Sequence, residues 1–327
     1  MDSNAKSIVS RICLIAIYIA LGIVGLYHAI GLALFPIIAV PSIIYFITNK
    51  LDKRQHIIFQ LIVSIGIYLV TSNLICILVY LVSVCVPTYV ILYFYKEDFP
   101  LPNIIMYATL SLAVVVLVFF VLMKYLGIDF EAYYLSILES IKDVPLDSIK
   151  EWLAVQNTNL TSTNVTELSL EMKQLINSVV DAMQSVYSAL IILQLLITTG
   201  IAVIIVNIVI RHKNKKFPSL VELLNFRLSK MSVLILFIST IAIASNGDES
   251  ARWSILGLNV VFFLMTLFQM VGALALVAIV NRASISKGIK VLGLVTVFIL
   301  LSISPYLVMF FGCLDTIFNY RKVKIVV

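Results

Sequence analysis

The sequence predicts an all-α fold, a polytopic transmembrane helical bundle of about eight or nine spans with an external amphipathic helical segment. Three observations carry that prediction. First, 61% of the 327 residues are hydrophobic and only 12% are charged, with a mean hydropathy of +1.09. A soluble domain is roughly half apolar and one quarter charged, so this chain belongs in lipid. Second, apolar runs of bilayer length recur, and Ala189 to Ile210 holds 22 residues without a charge. A span needs about 20 such residues at about 1.5 Å each. Third, Arg211, Lys213, Lys215 and Lys216 follow that run at once. Lys and Arg in short loops stay cytoplasmic, so this basic stop orients every other segment.

From the N-terminus, Lys6 and Arg11 against Asp2 make a weakly cytoplasmic start, and the first span is expected over Ile12 to Tyr27. No small-residue cleavage site ends the apolar run, so this helix is expected to be retained. His28, Gly31, Pro36 and Pro41 interrupt a second apolar segment that ends at Asn49. Two prolines in one span kink it or free carbonyls, and a helix broken in this way can line a cavity. Lys50, Lys53 and Arg54 against Asp52 then return the chain to the cytoplasm. Ile57 to Tyr95 is 39 residues without a charge, too long for one crossing, which places a turn at Thr71-Ser72-Asn73. After the loop Lys96 to Asn103, where Glu97 and Asp98 oppose Lys96 beside two prolines and which says little about side, a fifth span is expected over Ile104 to Met123.

Gly127 to Val186 is the one sizeable extramembrane segment, with nine acids against three lysines and a net charge of −6. Five crossings place it outside. Phe130, Tyr134, Ile137, Leu138 and Ile141, then Ile149, Trp152 and Leu153, mark two short amphipathic helices. Leu168, Met172, Leu175, Ile176, Val179, Val180, Met183 and Tyr187 follow a helical period, with Asn164 and Glu167 resembling a capping box. This helix is expected to run into the sixth span. The domain division is therefore 1–125, an N-terminal bundle; 126–186, external helices; and 187–327, a C-terminal bundle with a basic cytoplasmic loop at 211–230.

Later spans are expected over Met231 to Ser245 and Trp253 to Val280, and Arg282, Lys287 and Lys290 put the next loop inside. A full ninth span from Val291 would leave Arg321, Lys322 and Lys324 outside, against the charge rule. A break at Ser304-Pro305 that folds the chain back removes the conflict, and eight crossings with a misassigned hairpin would do so too. Asp315, within two helical turns of Arg321, is expected to be an interfacial carboxylate paired with the basic tail and contributing little when exposed.

The chemistry of the spans is sparse. No apolar span carries an internal Asp or Glu by this assignment, which argues against a carboxylate-driven pump. No P-loop occurs, and His28, His56 and His212 lack metal-site spacing and are expected at membrane edges. Cys13, Cys76, Cys85 and Cys313 show no C-x-x-C pair. No catalytic residue, metal or cofactor is nominated, and an enzyme is not expected. The net charge of +6 is explained by cations beside spans, so no nucleic-acid partner is implied. What remains are amides in apolar helices, Gln60, Asn73, Gln194, Asn207, Asn259 and Gln269, which must bond across helices or to a ligand.

The order of features resembles the YybS-like family, bacterial multispanning membrane proteins grouped as a domain of unknown function. The resemblance rests on several elements of the C-terminal half: the basic stop Arg211 to Lys216, a Pro218 to Phe226-Arg227-Leu228 segment, Gly257-Leu258-Asn259, Gln269-Met270-Val271-Gly272, and the closing Gly312-Cys313-Leu314-Asp315 to Asn319-Tyr320-Arg321. Phe226 and Ser229 depart from the Trp and Pro expected there. That family is similar in its core to the substrate-binding S components of energy-coupling-factor transporters. The resemblance implies a bacterial plasma-membrane protein whose cavity involves the kinked second helix and the Asn259 helix, with a small ligand held near Asn259, Gln269 and Asn73, and a separate ATPase coupling module or other membrane proteins as partners; the cations alone set its N-terminus in the cytoplasm. Pro218, Phe226 and Arg227 would be the cytoplasmic partner contacts. A structural membrane protein of the cell-shape apparatus is the other relative implied, which makes a scaffold binding proteins through its external helices and cytoplasmic loop the alternative.

Overall fold

In a computed structural model, residues 3–24, 35–49, 53–97, 99–156, 162–213, 220–245, 252–282 and 286–322 are described, and among them the chain is all-α. Helix α1 is Ser3–Val24. The end of the first expected span, with His28 and Gly31, lies outside the described residues. Pro36 precedes a 3-10 turn at Ile37–Ala39, and α2, Val40–Thr48, starts with Pro41 in its first turn. A first-turn proline costs no helical hydrogen bond, so the second segment is broken where its prolines fall.

Helix α3, Lys53–Thr71, ends at the expected turn. Ser72 has φ of 50°, and the Asn73 side chain accepts from the Ile75 amide at 2.9 Å, capping the next helix. That helix, α4, is Leu74–Lys96 and carries a π-helical stretch at Leu81–Cys85. Pro87 comes two residues after it, and a residue without an N–H cannot complete the α ladder one turn back, so the wider turn sits where the ladder fails. Helix α5 is Leu101–Tyr125.

The acidic segment forms α6, Phe130–Lys142, α7, Leu146–Gln156, and α8, Ser162–Ser185. Asp129 caps α6 by accepting from the Ala132 amide at 3.1 Å. That bond, with Lys124 3.0 Å away, holds the exposed Asp129 carboxyl below the usual carboxylate range. The cation Lys173 of α8 donates to the carbonyls of Lys142 and, at 2.6 Å, Val144, and so satisfies the C-terminus of α6. Helix α8 begins two residues before Asn164, which is therefore a first-turn residue and not a cap. Nor does α8 run unbroken into the sixth span: Val186 separates it from α9, Tyr187–Lys213.

A 3-10 segment at Leu220–Asn225 leads to α10, Lys230–Ser245, then α11, Arg252–Arg282, α12, Lys287–Ile303, and α13, Pro305–Phe318. Helices α12 and α13 are bent by 113° at Ser304, the break the sequence places there. Five helices among the described residues are long and apolar enough to cross a membrane, six if the bent pair counts as one span. Shorter apolar helices lie at Val9–Ala20, Ile37–Thr48 and Lys230–Ser245.

Packing divides the chain differently from sequence order. One unit is Met1–Phe119, Ile192–Lys230 and Thr266–Val327; the other is Phe120–Ile191 and Met231–Met265.

Candidate functional site

The most developed polar site in the first unit is built around Arg321. Two glycines prepare it. A Cβ on Gly272 of α11 would stand 2.0 Å from the Val308 carbonyl oxygen, and one on Gly312 of α13 would stand 2.0 Å from that of Phe268. The two helices therefore cross backbone on backbone, a closeness only glycine allows and one common between membrane helices. One turn beyond Gly312 comes Asp315, and α13 then ends at Asn319 in a left-handed conformation, φ of 61°. Asn tolerates that conformation at a helix C-terminus, and it turns the chain so that Arg321 comes back toward the helix it has just left.

The result is a buried ion pair. Arg321 Nε donates to Asp315 Oδ2 at 2.8 Å, with Asp315 0% and Arg321 2% exposed. Arg321 Nη2 donates to the Val271 carbonyl of α11 at 2.9 Å, and Nη1 to the Leu224 carbonyl. One guanidinium thus ties α13, α11 and the 220–225 segment together, using the planar fork that suits Arg to several acceptors at once. The same segment is held a second time, because the Leu101 amide, at the start of α5, donates to Glu222 Oε2 at 3.3 Å. Asp315 Oδ1 and Asn319 Oδ1 are buried beside the pair without a hydrogen-bond partner among the described residues.

Two expectations are corrected here. Asp315 does pair with the basic tail, through Arg321, but it is not exposed: the fold buries it completely, because its helix closes on α11 through the glycine pair. An apolar helix therefore does contain a buried acid. The spacing of Asp315 and Arg321 is visible in the sequence, but the αL turn that points one at the other is set by Asn319.

A second buried polar cluster lies in the N-terminal helices. Tyr80 donates to Gln60 Oε1, and Gln60 Nε2 lies 3.1 Å from His56 Nε2. With its oxygen engaged by Tyr80, the amide presents its N–H to an accepting imidazole nitrogen. Tyr18 donates to the Ile38 carbonyl and accepts from the Ser42 amide, both at 3.0 Å, and its ring meets Tyr80 edge-on at 6.1 Å. The Ser42 hydroxyl on α2 is buried without a hydrogen-bond partner among the described residues. His56, expected at a membrane edge, lies in the first turn of α3 and is enclosed by Phe46, Tyr89 and Gln60. Gln60 bonds across helices, as expected of an amide in lipid.

Of the residues singled out for ligand binding, two are engaged by nearby backbone. Asn73 is the cap of α4. Asn259 staples the α8–α9 junction: its Oδ1 accepts from the Ala189 amide, and its Nδ2 donates to the carbonyls of Ser185 and Ile255, each at 2.9 Å. All of its hydrogen-bonding directions but one acceptor site are taken by backbone. Gln269 is half-buried on α11, one turn before Gly272. Phe226 and Arg227 are half-buried just after the 220–225 segment, and Pro218 lies outside the described residues.

Helices of bilayer length, a bent apolar pair and an acid buried in it define an integral membrane protein of the polytopic helical class. Within that class, the chain belongs to the family described as predicted membrane protein (DUF2232), whose model matches residues 16–316. No curated protein and no solved structure matches the chain.

Proposed function

We propose that this is a non-enzymatic membrane scaffold that holds partner proteins through its acidic helices. One observation carries the reading: α8 has an exposed stripe outside any candidate span. Leu168, Leu175 (64% exposed) and Val179 recur at helical spacing, flanked by exposed Glu167 and Glu171, while Ser169 and Val180 are buried on the neighbouring face. Apolar area left in water costs about 25 cal/mol per Å², so such a stripe favours a cover. The acids favour a cationic amphipathic helix as that cover and oppose anionic lipid or a second copy of the same face. In this reading the N-terminus and the 211–230 loop face the cytoplasm of a bacterial cell.

A second reading is favoured by the buried cluster beside the broken second segment. There, Ser42, Tyr18, Gln60, Tyr80 and His56 bring polar groups together in an apolar bundle, as an S-component-like subunit that binds a small ligand and relies on a separate ATPase would require. Native mass spectrometry in mild detergent separates the two. The scaffold reading expects stoichiometric protein partners on the native chain and their loss from the Leu168→Ser/Leu175→Ser/Val179→Ser variant. A lone chain retaining a small molecule, released by Ser42→Leu, would overturn it in favour of the second reading.

A further inference from the structure

We infer that α12 and α13 form a re-entrant hairpin, which enters and leaves the membrane on the face that carries the basic stretch Arg211 to Lys216, with Arg321 as the fastening that brings the chain back. The inference rests on lengths, on three hydrogen bonds and on charge, and it is independent of what the protein binds.

Length comes first. Helices of 17 and 14 residues measure about 26 Å and about 21 Å at about 1.5 Å per residue. Joined at a bend of 113°, their outer ends stand about 26 Å apart whatever the tilt of the pair. A hydrocarbon core is about 30 Å thick, so even the most favourable alignment falls short of a crossing. The same residues in one straight helix would have crossed with length to spare.

The hydrogen bonds then say where the end of α13 goes. Helix α9 is a full span that ends at the basic stretch, and from Lys213 to Leu220 the chain can reach at most about 25 Å when extended. That is less than a crossing, so the 220–225 segment stays on the face where α9 emerges. Glu222 accepts from the first amide of α5, itself a full span, and so sets the start of α5 on the same face. Arg321 donates to the Leu224 carbonyl of this segment. It also donates to Val271, which lies eleven residues, or about 16 Å, from the Arg282 end of the 31-residue α11 and therefore on the Arg282 side of its midpoint. The loop from Arg282 to Lys287, which opens α12, is at that end. Arg321 is thus held in the half of the membrane from which the hairpin started.

Burial makes the arrangement self-consistent. A chain that re-enters lipid must satisfy its backbone and charges within protein. Asp315 neutralises Arg321, the guanidinium serves two carbonyls, and Gly272 and Gly312 let the returning helix lie against α11 with no side chain between them. Charge agrees as well: Lys322 and Lys324 follow Arg321 in sequence, and a chain that turns back before them avoids the conflict with the positive-inside tendency that a full crossing would create.

The test compares two positions in one membrane. One epitope tag is inserted between Lys215 and Lys216 and another is appended after Val327 of the full chain, and each is probed by protease protection in sealed vesicles of one orientation and then of the other. The hairpin predicts that both tags are protected together and digested together. Protection of one with digestion of the other overturns it. Labelling of Lys215→Cys and Lys324→Cys by an impermeant maleimide, with the four native cysteines replaced by Ser, is the second measurement should an inserted tag disturb folding, and it carries the same two outcomes.

Discussion

Replacing Asp315 by Asn would leave the Arg321 guanidinium enclosed in protein with its charge uncompensated. Removing one member of a buried pair typically costs about 3–5 kcal/mol. Here Arg321 keeps its bonds to the Leu224 and Val271 carbonyls, whose dipoles still offset part of the charge, so the lower end, about 3 kcal/mol, applies. For a chain of this length each kcal/mol shifts the melting temperature by roughly 2 °C, so Asp315→Asn should melt about 6 °C below wild type. The assay is thermal unfolding in detergent followed by intrinsic fluorescence. The double variant Asp315→Leu/Arg321→Met removes both charges and should lose less than Asp315→Asn alone, because apolar replacements of a buried pair are often close to neutral. If Asp315→Asn melts within about 1 °C of wild type, the pair is solvated and contributes only the 0–1 kcal/mol or so of a surface bridge, and the burial argument fails.

The other expectations can be checked with the same preparation. Gly312→Val should abolish the folded state, since its Cβ would meet the Phe268 carbonyl oxygen at 2.0 Å, whereas Gly288→Ala, with nothing within 4 Å, should be neutral or stabilising by up to about 1 kcal/mol; fluorescence-detected size exclusion separates the two outcomes. Asn259→Ala strands the Ala189 amide and should destabilise the α8–α9 junction by about 1–3 kcal/mol, seen as faster hydrogen exchange at 185–189. Asp129, whose folded-state carboxyl titrates below its unfolded value, stabilises the start of α6 at neutral pH. That contribution is complete above about pH 4 and is lost as pH falls through the lower folded-state value, so exchange of the Ala132 amide should accelerate there relative to Asp129→Asn, which should show no such step.

Much of the architecture was legible because lipid imposes length and charge rules on individual segments. The turn at Thr71-Ser72-Asn73, the break at Ser304-Pro305 and the short amphipathic helices each follow from local residues. What was not legible depends on contacts between distant segments. Asp315 looks like a boundary residue because apolar sequence ends near it, yet the glycine crossing with α11 buries it. His56 likewise follows a basic loop and still turns inward, since Gln60 and the ring of Phe46 await it. Asn259 and Gln269 lie on one helix ten residues apart, and nothing in that spacing reveals that the first is spent on a backbone junction. The closing motif with Gly312, Asp315, Asn319 and Arg321 entered only as a resemblance, and the structure shows what those residues do at those intervals: close approach, charge, turn and return.

The central claim is that Arg321 fastens the 220–225 segment to α13 and α11, and amide hydrogen exchange in detergent tests it most directly. A hydrogen bond to a charged group contributes about 1.5–3 kcal/mol, so in the Asp315→Leu/Arg321→Met variant the amides of 220–225 should open about 10-fold to 100-fold more readily, while those of α3 stay as protected as in wild type. Equal exchange at 220–225 in the two proteins would mean that the segment is held by something else.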